Sequence, residues 1–380
     1  MLDPKALLAY CESELDVLVR CLRRAVEIES PSQNKAAVDR IAKYFAQEFK
    51  KRGAKVQLLS HPTAGSAMVA RFWNGACGTK PILLLGHLDT VWEIGTLAEM
   101  PFQIRKGRAY GPGIYDMKSG IVCGLWAVQA LTALKITPPG PIHFFLNADE
   151  EVSSTAFREE LLAEARHARA VLVLEPAAAQ GALKTSRKGV GEFQITVRGR
   201  SAHAGINPSA GVNAISELAQ QILRIEQLAS PRRGLTVNVD VIHGGTRVNV
   251  IPELAMARVD VRVPTARDRE KIEKKMRALS PIHPEAKLEI TGGVNRPPLE
   301  RKMASTLFRK ACELGHQMGL ELKEAATGGG SDGNFTAALG IPTLDGLGGT
   351  GDGAHARHEH VILDELPQRV ALLAALMATR

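Results

Sequence analysis

At 380 residues the chain is longer than the size at which a single hydrophobic core stops growing, so two domains are expected. Apolar residues make up 45% and charged residues 23%, the balance of a folded, soluble protein rather than a disordered one. The net charge of +8 argues for mild attraction of acidic substrates and against nucleic acid, because Lys and Arg are scattered and aromatics, at 4%, offer no stacking platform.

Residues 1–28 carry charges throughout, with no apolar run leading to a small-residue cleavage site, so the N-terminus reads as unexported. No stretch approaches the roughly 20 apolar residues of a membrane span, and no membrane partner is expected. The cysteines Cys11, Cys21, Cys77, Cys123 and Cys312 are odd in number, widely spaced and without a CxxC pair. They support neither a disulfide framework nor a thiolate zinc site, and fit a reducing cytoplasm.

Amphipathic helices open the chain. Apolar β-type runs follow at residues 67–72, 81–85, 142–146 and 170–174, separated by helical patterns. The last three are almost continuously apolar, as strands covered on both faces are, which predicts an α/β sheet flanked by helices. From about Gly189 the texture changes to alternating strands at 192–198, 236–242 and 255–263, with helices at 211–228 and 266–279, as in a compact α+β insert. Helical patterns at 302–318 and 363–379 and a Gly-rich stretch then resume the first domain. The expected division is 1–187 with 298–380 for the larger domain and 188–297 for the insert.

Polar residues gather just past the apolar runs, where α/β sheets place their chemistry. The strand at 82–85 leads into His87 and Asp89, and an acid two residues after a histidine can fix the ring tautomer that leaves the other nitrogen for a metal. Asp116 lies in the turn-rich segment 110–118 ahead of a helix, where it serves either as a bridging ligand or as a helix cap. The strand at 142–146 runs into Asp149, Glu150 and Glu151, three acids that repel one another unless cations or protons relieve them. Glu175 ends the next strand. His355 lies in a loop with His358 and His360, for which a plain surface role is the alternative. Together His87, Asp116, Glu151, Glu175 and His355 form a two-histidine, three-carboxylate set suited to zinc or a similar metal, with a bridging acid holding two ions about 3.5–4 Å apart around a shared water.

The strings GHLDT, YGPGIYDMKSG, ADEE, LEP, SAHAG, RVNVIP, VDVRV and TGGGSD, in this order over residues 80–362, resemble the glutamate carboxypeptidase (carboxypeptidase G) branch of the aminoacylase, acetylornithine deacetylase and succinyl-diaminopimelate desuccinylase family of zinc exopeptidases. The resemblance implies an α/β catalytic domain with a mixed sheet and an inserted ferredoxin-like lid and dimerisation domain. It implies two divalent ions per subunit, zinc first, with cobalt or manganese as substitutes. Asp116 would bridge them; His87 and Glu175 would complete one site, Glu151 and His355 the other, and the peptide after Asp116 would be cis. Glu150 would be the general base, with Asp89 beside the metal histidine. His203 would stabilise the oxyanion in the partner subunit's site, so that a homodimer is catalytic. Asn249 and Arg262 would hold the substrate carboxylate, and Gly328, Gly329 and Gly330 would approach the substrate through their backbone. The implied activity is hydrolysis of the amide next to a terminal carboxylate in a short peptide or an N-acyl amino acid, as a carboxypeptidase or as a deacylase.

Two departures stand out. After Glu150-Glu151 the family shows glycine and serine where this chain has Val152-Ser153-Ser154, which predicts a different local turn. The segment after Glu175 is Ala-rich at 177–179, so a preference for glutamate does not follow. Three rivals are weighed on their own residues. Gly329-Gly330-Ser331-Asp332-Gly333 satisfies the G-x-S-x-G pattern of a serine nucleophile, with Asp352 and His355 following in that order, yet this leaves Glu150, Glu151 and Glu175 without a task. A catalytically silent binding protein does not need Glu150. A dinucleotide site fails because Gly111 and Gly113 lack the third glycine.

Overall fold

The apolar runs become strands buried on both faces, and their parallel pairing fixes where the polar residues emerge. In the computed structural model, which describes residues 3–75 and 79–379, six strands form one mixed sheet. Their order is Lys55–Leu59, Ala67–Phe72, Ile142–Asn147, Ile82–His87, Ala170–Val173 and Thr343–Leu344. The first three pair antiparallel, whereas Ile142–Asn147, Ile82–His87, Ala170–Val173 and Thr343–Leu344 run parallel. Four C-terminal strand ends therefore open on one edge of the sheet.

Helix Ser119–Ala133 is apolar on all sides rather than along one stripe, as a helix must be when it packs against both the sheet and the terminal helix Leu366–Ala378. On the other strands, helix Lys35–Lys51, capped by Asn34 accepting from the Ala37 N–H at 3.1 Å, brings Phe49 against the sheet. The Phe49 ring lies 4.8 Å from Phe144 in an edge-on contact, and Phe72 lies 6.0 Å from the same ring. The mixed sheet, its flanking helices and the predicted positions of its inner strands agree with the α/β expectation.

Residues 1–186, 301–326 and 331–380 form one unit, and residues 187–300 and 327–330 form a second. The second unit is a βαββαβ arrangement: strand Gly189–Arg198, helix Ala214–Glu226, strands Thr236–Gly244 and Leu254–Val263, helix Ala266–Arg277 and strand Lys287–Arg296. All neighbours are antiparallel, and the spatial order is last, first, third, second. Its core joins Phe193, Ile195 and Val197 to Leu218, Ile225, Ile272 and Met276 from the two helices.

Two details differ from the sequence expectation. Lys287–Arg296 is a full strand although its pattern is broken by Gly292 and Gly293, residues that weaken strand propensity. Gly292 sits at φ 88°, where a Cβ would come within 2.2 Å of the Glu192 carbonyl oxygen, so the close pairing needs that glycine. Residues 327–330 group with the second unit rather than with the returning chain, because the Lys188 N–H donates to Thr327 O at 3.0 Å and Arg187 Nη1 donates to the carbonyls of Gly329 and Gly330 at 3.2 and 3.1 Å.

Cys11, Cys21, Cys123 and Cys312 are unpaired thiols, and Cys77 lies outside the described residues. Among the described residues no helix is long and apolar enough to cross a membrane. Replacing Phe144 by Ala should lower stability by about 3–5 kcal/mol, because the two facing rings cannot collapse into the space, and a denaturant midpoint measured on the purified chain checks it. A change below about 1 kcal/mol would contradict this account of the core.

Candidate metal centre

His87 is the last residue of its strand, with its backbone paired opposite Asn147, and Glu175 lies two residues past Ala170–Val173. Two glycines press on that second strand end. A Cβ at Gly120 would come within 1.9 Å of the Leu174 carbonyl oxygen, and one at Gly348 within 2.2 Å of the same atom. The Gly348 N–H donates to Glu175 O at 2.8 Å, which pins the backbone from which the Glu175 side chain departs. Asp116 follows a glycine-rich turn, and the peptide bond Asp116–Met117 is cis. The helix Ser119–Ala133 begins without a side-chain cap, so Asp116 does not serve as one.

The side chains of these separate segments converge. His87 Nε2 lies 3.2 Å from Asp116 Oδ1 and 3.6 Å from Glu175 Oε1. His355 Nε2 lies 3.5 Å from Asp116 Oδ2 and 3.3 Å from Glu151 Oε2. Asp116 thus turns its two oxygens to two different histidines. His87, Glu150 and Glu175 each offer a ligand atom within 4.8 Å of the others, and so do His87, Asp116 and Glu151. His355 holds its position from a left-handed backbone at φ 61°, a conformation that costs a non-glycine residue of the order of 1–3 kcal/mol and clusters at functional sites.

The electrostatics are those of an acid cluster that needs positive charge. Burial raises Glu151 to about 7, and repulsion from Asp116 and Glu150 adds to it, while the His355 hydrogen bond opposes it. Hydrogen bonds from its ring to Asp116 and then to Glu151 raise His355 to about 10. For His87 burial works downward, but Asp116 and Asp89 outweigh it and raise the imidazole well above its ordinary value. Burial likewise works against the Asp116 carboxylate, and the two histidines hold it below the usual range. Glu151 Oε1 is buried and has no hydrogen-bond partner among the described residues. Imidazole nitrogens beside carboxylate oxygens, one of them orphaned, are a donor set that fits divalent cations of the zinc type.

Asp89 is buried behind the cluster. Its backbone oxygen lies 2.9 Å from His87 Nδ1, and its carboxylate accepts the N–H groups of Glu150 and Glu151, each at 3.1 Å, and the Ser32 hydroxyl at 2.7 Å. His87 Nδ1 thus faces both the carbonyl and, at 3.4 Å, the carboxylate of Asp89, and the same carboxylate orients the 150–151 turn. After Val152, Ser153 and Ser154 take left-handed backbones at φ 85° and 52°. Ser154 is buried and its hydroxyl donates to Asp332.

Sequence reasoning missed Glu359. The stretch around it reads as a charged surface loop, yet Glu359 is fully buried and His360 begins a strand, His360–Ile362, that pairs with Arg108–Tyr110. Glu359 accepts four N–H donors, among them that of Asp116. The only signal in the sequence is an acid four residues after His355.

The remaining candidates belong to the second unit. His203 is exposed, and its Nδ1 accepts from the Gly205 and Ile206 N–H groups at 3.2 Å. Asn249 is exposed and its backbone accepts from Ala204. Arg262 gives its Nε and Nη2 to Asp260 at 2.9–3.1 Å. Added side chains at Gly328 and Gly329 would meet no atom within 4 Å, whereas one at Gly330 would press on Val190.

The serine reading fails on geometry. Ser331 is fully buried, and its hydroxyl donates to Asp345 at 2.6 Å and accepts from the Gly333 N–H at 3.1 Å, while His355 is engaged with Asp116 and Glu151. Buried from solvent and without the histidine that pattern requires, the hydroxyl cannot act as the nucleophile.

The model of the family described as peptidase family M20/M25/M40 matches residues 83–379. The chain belongs to that family. Carboxypeptidase G2 of Pseudomonas sp. (strain RS-16) is 29% identical over 375 residues, spanning 96% of this chain and 89% of that protein. The succinyl-diaminopimelate desuccinylase of Dechloromonas aromatica (strain RCB) is 28% identical and spans 80% of this chain and 85% of its own length. Among solved structures, aminopeptidase PepT from Bacillus cereus superposes with a TM-score of 0.78 at 21% identity, covering 96% of this chain and 98% of its own. A dinuclear metal-binding peptidase of the M20 family from Bacillus subtilis does so with 0.71 at 16%, covering 97% and 98%. The family resemblance drawn from the motifs is thus borne out, and the protein is a metallo-exopeptidase of the M20 group.

Ser331→Ala should cost about 1–3 kcal/mol of stability, because Asp345 loses a buried donor, and should leave turnover within about threefold of wild type. Loss of activity at unchanged metal content would revive the serine reading.

Proposed function

We propose that this M20 peptidase hydrolyses the amide adjacent to a terminal carboxylate in short peptides or N-acyl amino acids, using two divalent cations held by His87, Asp116, Glu151, Glu175 and His355. The observation that carries the reading is Asp116 facing a histidine with each of its oxygens, beside Glu151, whose buried Oε1 has no hydrogen-bond partner among the described residues. Zinc is the expected metal, with cobalt or manganese able to replace it. Two such cations supply Lewis acidity toward the scissile carbonyl and lower the pKa of water.

Glu150 is the base. Its backbone is fixed through Asp89, and its carboxylate lies within 4.8 Å of the ligand atoms of His87 and Glu175, where it can take a proton from the attacking water and return it to the leaving amine. In the second unit, His203 accepts backbone N–H groups at Nδ1, so its proton resides on Nε2, the form that donates to a developing oxyanion. Arg262 and Asn249 would hold the substrate carboxylate; because Asp260 takes the Nε and Nη2 edge of Arg262, the substrate would meet Nη1. The 328–330 backbone would approach the substrate where no side chain intrudes at Gly328 and Gly329. A homodimer built through the second unit is supported by its edge strand Thr236–Gly244, which leaves Val241 and Ile242 exposed. The unpaired thiols support a cytoplasmic location.

Glu150→Gln should retain two ions per chain and lower kcat by roughly 10²–10⁴-fold. An ion lost together with that carboxylate would instead make Glu150 a ligand. A chelator should abolish turnover and added zinc, cobalt or manganese restore it. A panel of dipeptides and N-acyl amino acids ending in Glu, Asp, Leu or Lys separates the peptidase from the deacylase, and amidating the terminal carboxylate should remove activity; equal turnover of the amidated substrate would sink the carboxylate requirement.

A further inference from the structure

Glu359 is a fully buried carboxylate four residues beyond His355, and the hydrolytic chemistry has no direct use for it. Its surroundings are unusual. Oε1 accepts the N–H groups of Tyr115 at 2.9 Å and Asp116 at 3.0 Å, and Oε2 accepts the Gly113 N–H at 2.9 Å and the Trp92 indole N–H at 2.7 Å. All four of these partners are donors, which matches the lone pairs of an ionised carboxylate and of no other side chain of that size. The donors come from two ligand-bearing segments, the one that follows His87 and Asp89 and the one that ends in Asp116, and Glu359 itself belongs to the segment of His355.

We propose that Glu359 is a positioning residue that locks these three segments together, so that the two oxygens of Asp116 are aimed at His87 and His355 before any cation arrives. The proposal rests on the metal-centre reading above. Three of the four bonds are to the backbone of the 113–116 turn, so they fix the path of the chain rather than one rotamer. The Asp116 N–H bond reaches the residue whose carboxylate divides between the histidines. An amide in place of the carboxylate would turn an NH₂ group toward two of the four N–H donors, and the turn would have to shift to relieve the donor–donor conflict. Substitution should therefore be felt at the cations even though Glu359 touches neither of the histidines that would bind them. Partners that orient metal ligands commonly change affinity by 10–100-fold when altered.

The test is Co²⁺ titration of metal-stripped protein, followed by the visible absorption of the bound ion, on wild type, Glu359→Gln and Trp92→Phe, with thermal unfolding of each metal-free protein alongside. Glu359→Gln is expected to bind Co²⁺ roughly 10–100-fold more weakly, with altered band positions or intensities. Trp92→Phe removes one donor from a half-buried position and leaves the turn's own bonds in place; it is expected to weaken binding by roughly 2–10-fold, and it decides the matter if Glu359→Gln does not fold. A purely structural role would lower the unfolding temperature and leave Co²⁺ affinity and spectrum as in wild type, and that result in the folded variants would overturn the proposal alone. Wild-type protein that takes up no Co²⁺ would remove the metal-centre reading and this proposal with it.

Discussion

The arrangement turns on one carboxylate shared between two imidazoles. Asp116 meets His87 with one oxygen and His355 with the other, and Glu151 and Glu175 complete each side. Like charges at this spacing in a buried setting are unfavourable by several kcal/mol unless cations or protons compensate them. The raised values of Glu151 and His355 are that compensation expressed through protons. The same concentration of negative charge gives divalent cations their affinity.

The scaffold holds this repulsion in place by backbone means. Parallel strands bring His87 and Glu175 to one sheet edge, and the paired glycines Gly120 and Gly348 let helix, loop and strand end approach more closely than any Cβ would permit. Arg369, buried in the terminal helix, donates to Gly348 O at 2.8 Å and to the carbonyls of Gly181 and Gly346, tying the loop behind Glu175 to the core. Asp89 does for the 150–151 turn what Arg369 does for that loop, with the opposite charge and the opposite hydrogen-bond role.

Relatives named for different reactions, a carboxypeptidase and a desuccinylase, match 96% and 80% of this chain. If the cluster in the first unit acts as proposed, the same base and Lewis acidity would serve either reaction. Selectivity would then fall to residues away from the cluster, and in the role proposed for Arg262 its pairing with Asp260 would limit which edge of the guanidinium faces a ligand.

What the sequence by itself determined was the α/β class, the inner strands and the ligand candidates. The strands were legible because burial on both faces demands unbroken apolar runs, and the acids and histidines were legible because they stand directly after those runs. The ordered motif strings identified the family where each string alone carried little. Tertiary structure decided the rest. The strand Lys287–Arg296 was hidden because its glycines are demanded by close pairing with Glu192, a contact no local window contains. Ser331 satisfied a nucleophile pattern, but a pattern cannot show that its hydroxyl would be buried against Asp345. Glu359 sat in a run of charged residues and read as solvated; its burial depends on N–H donors as far as 267 residues away in the chain, and the sign of that environment exists only once the segments have met.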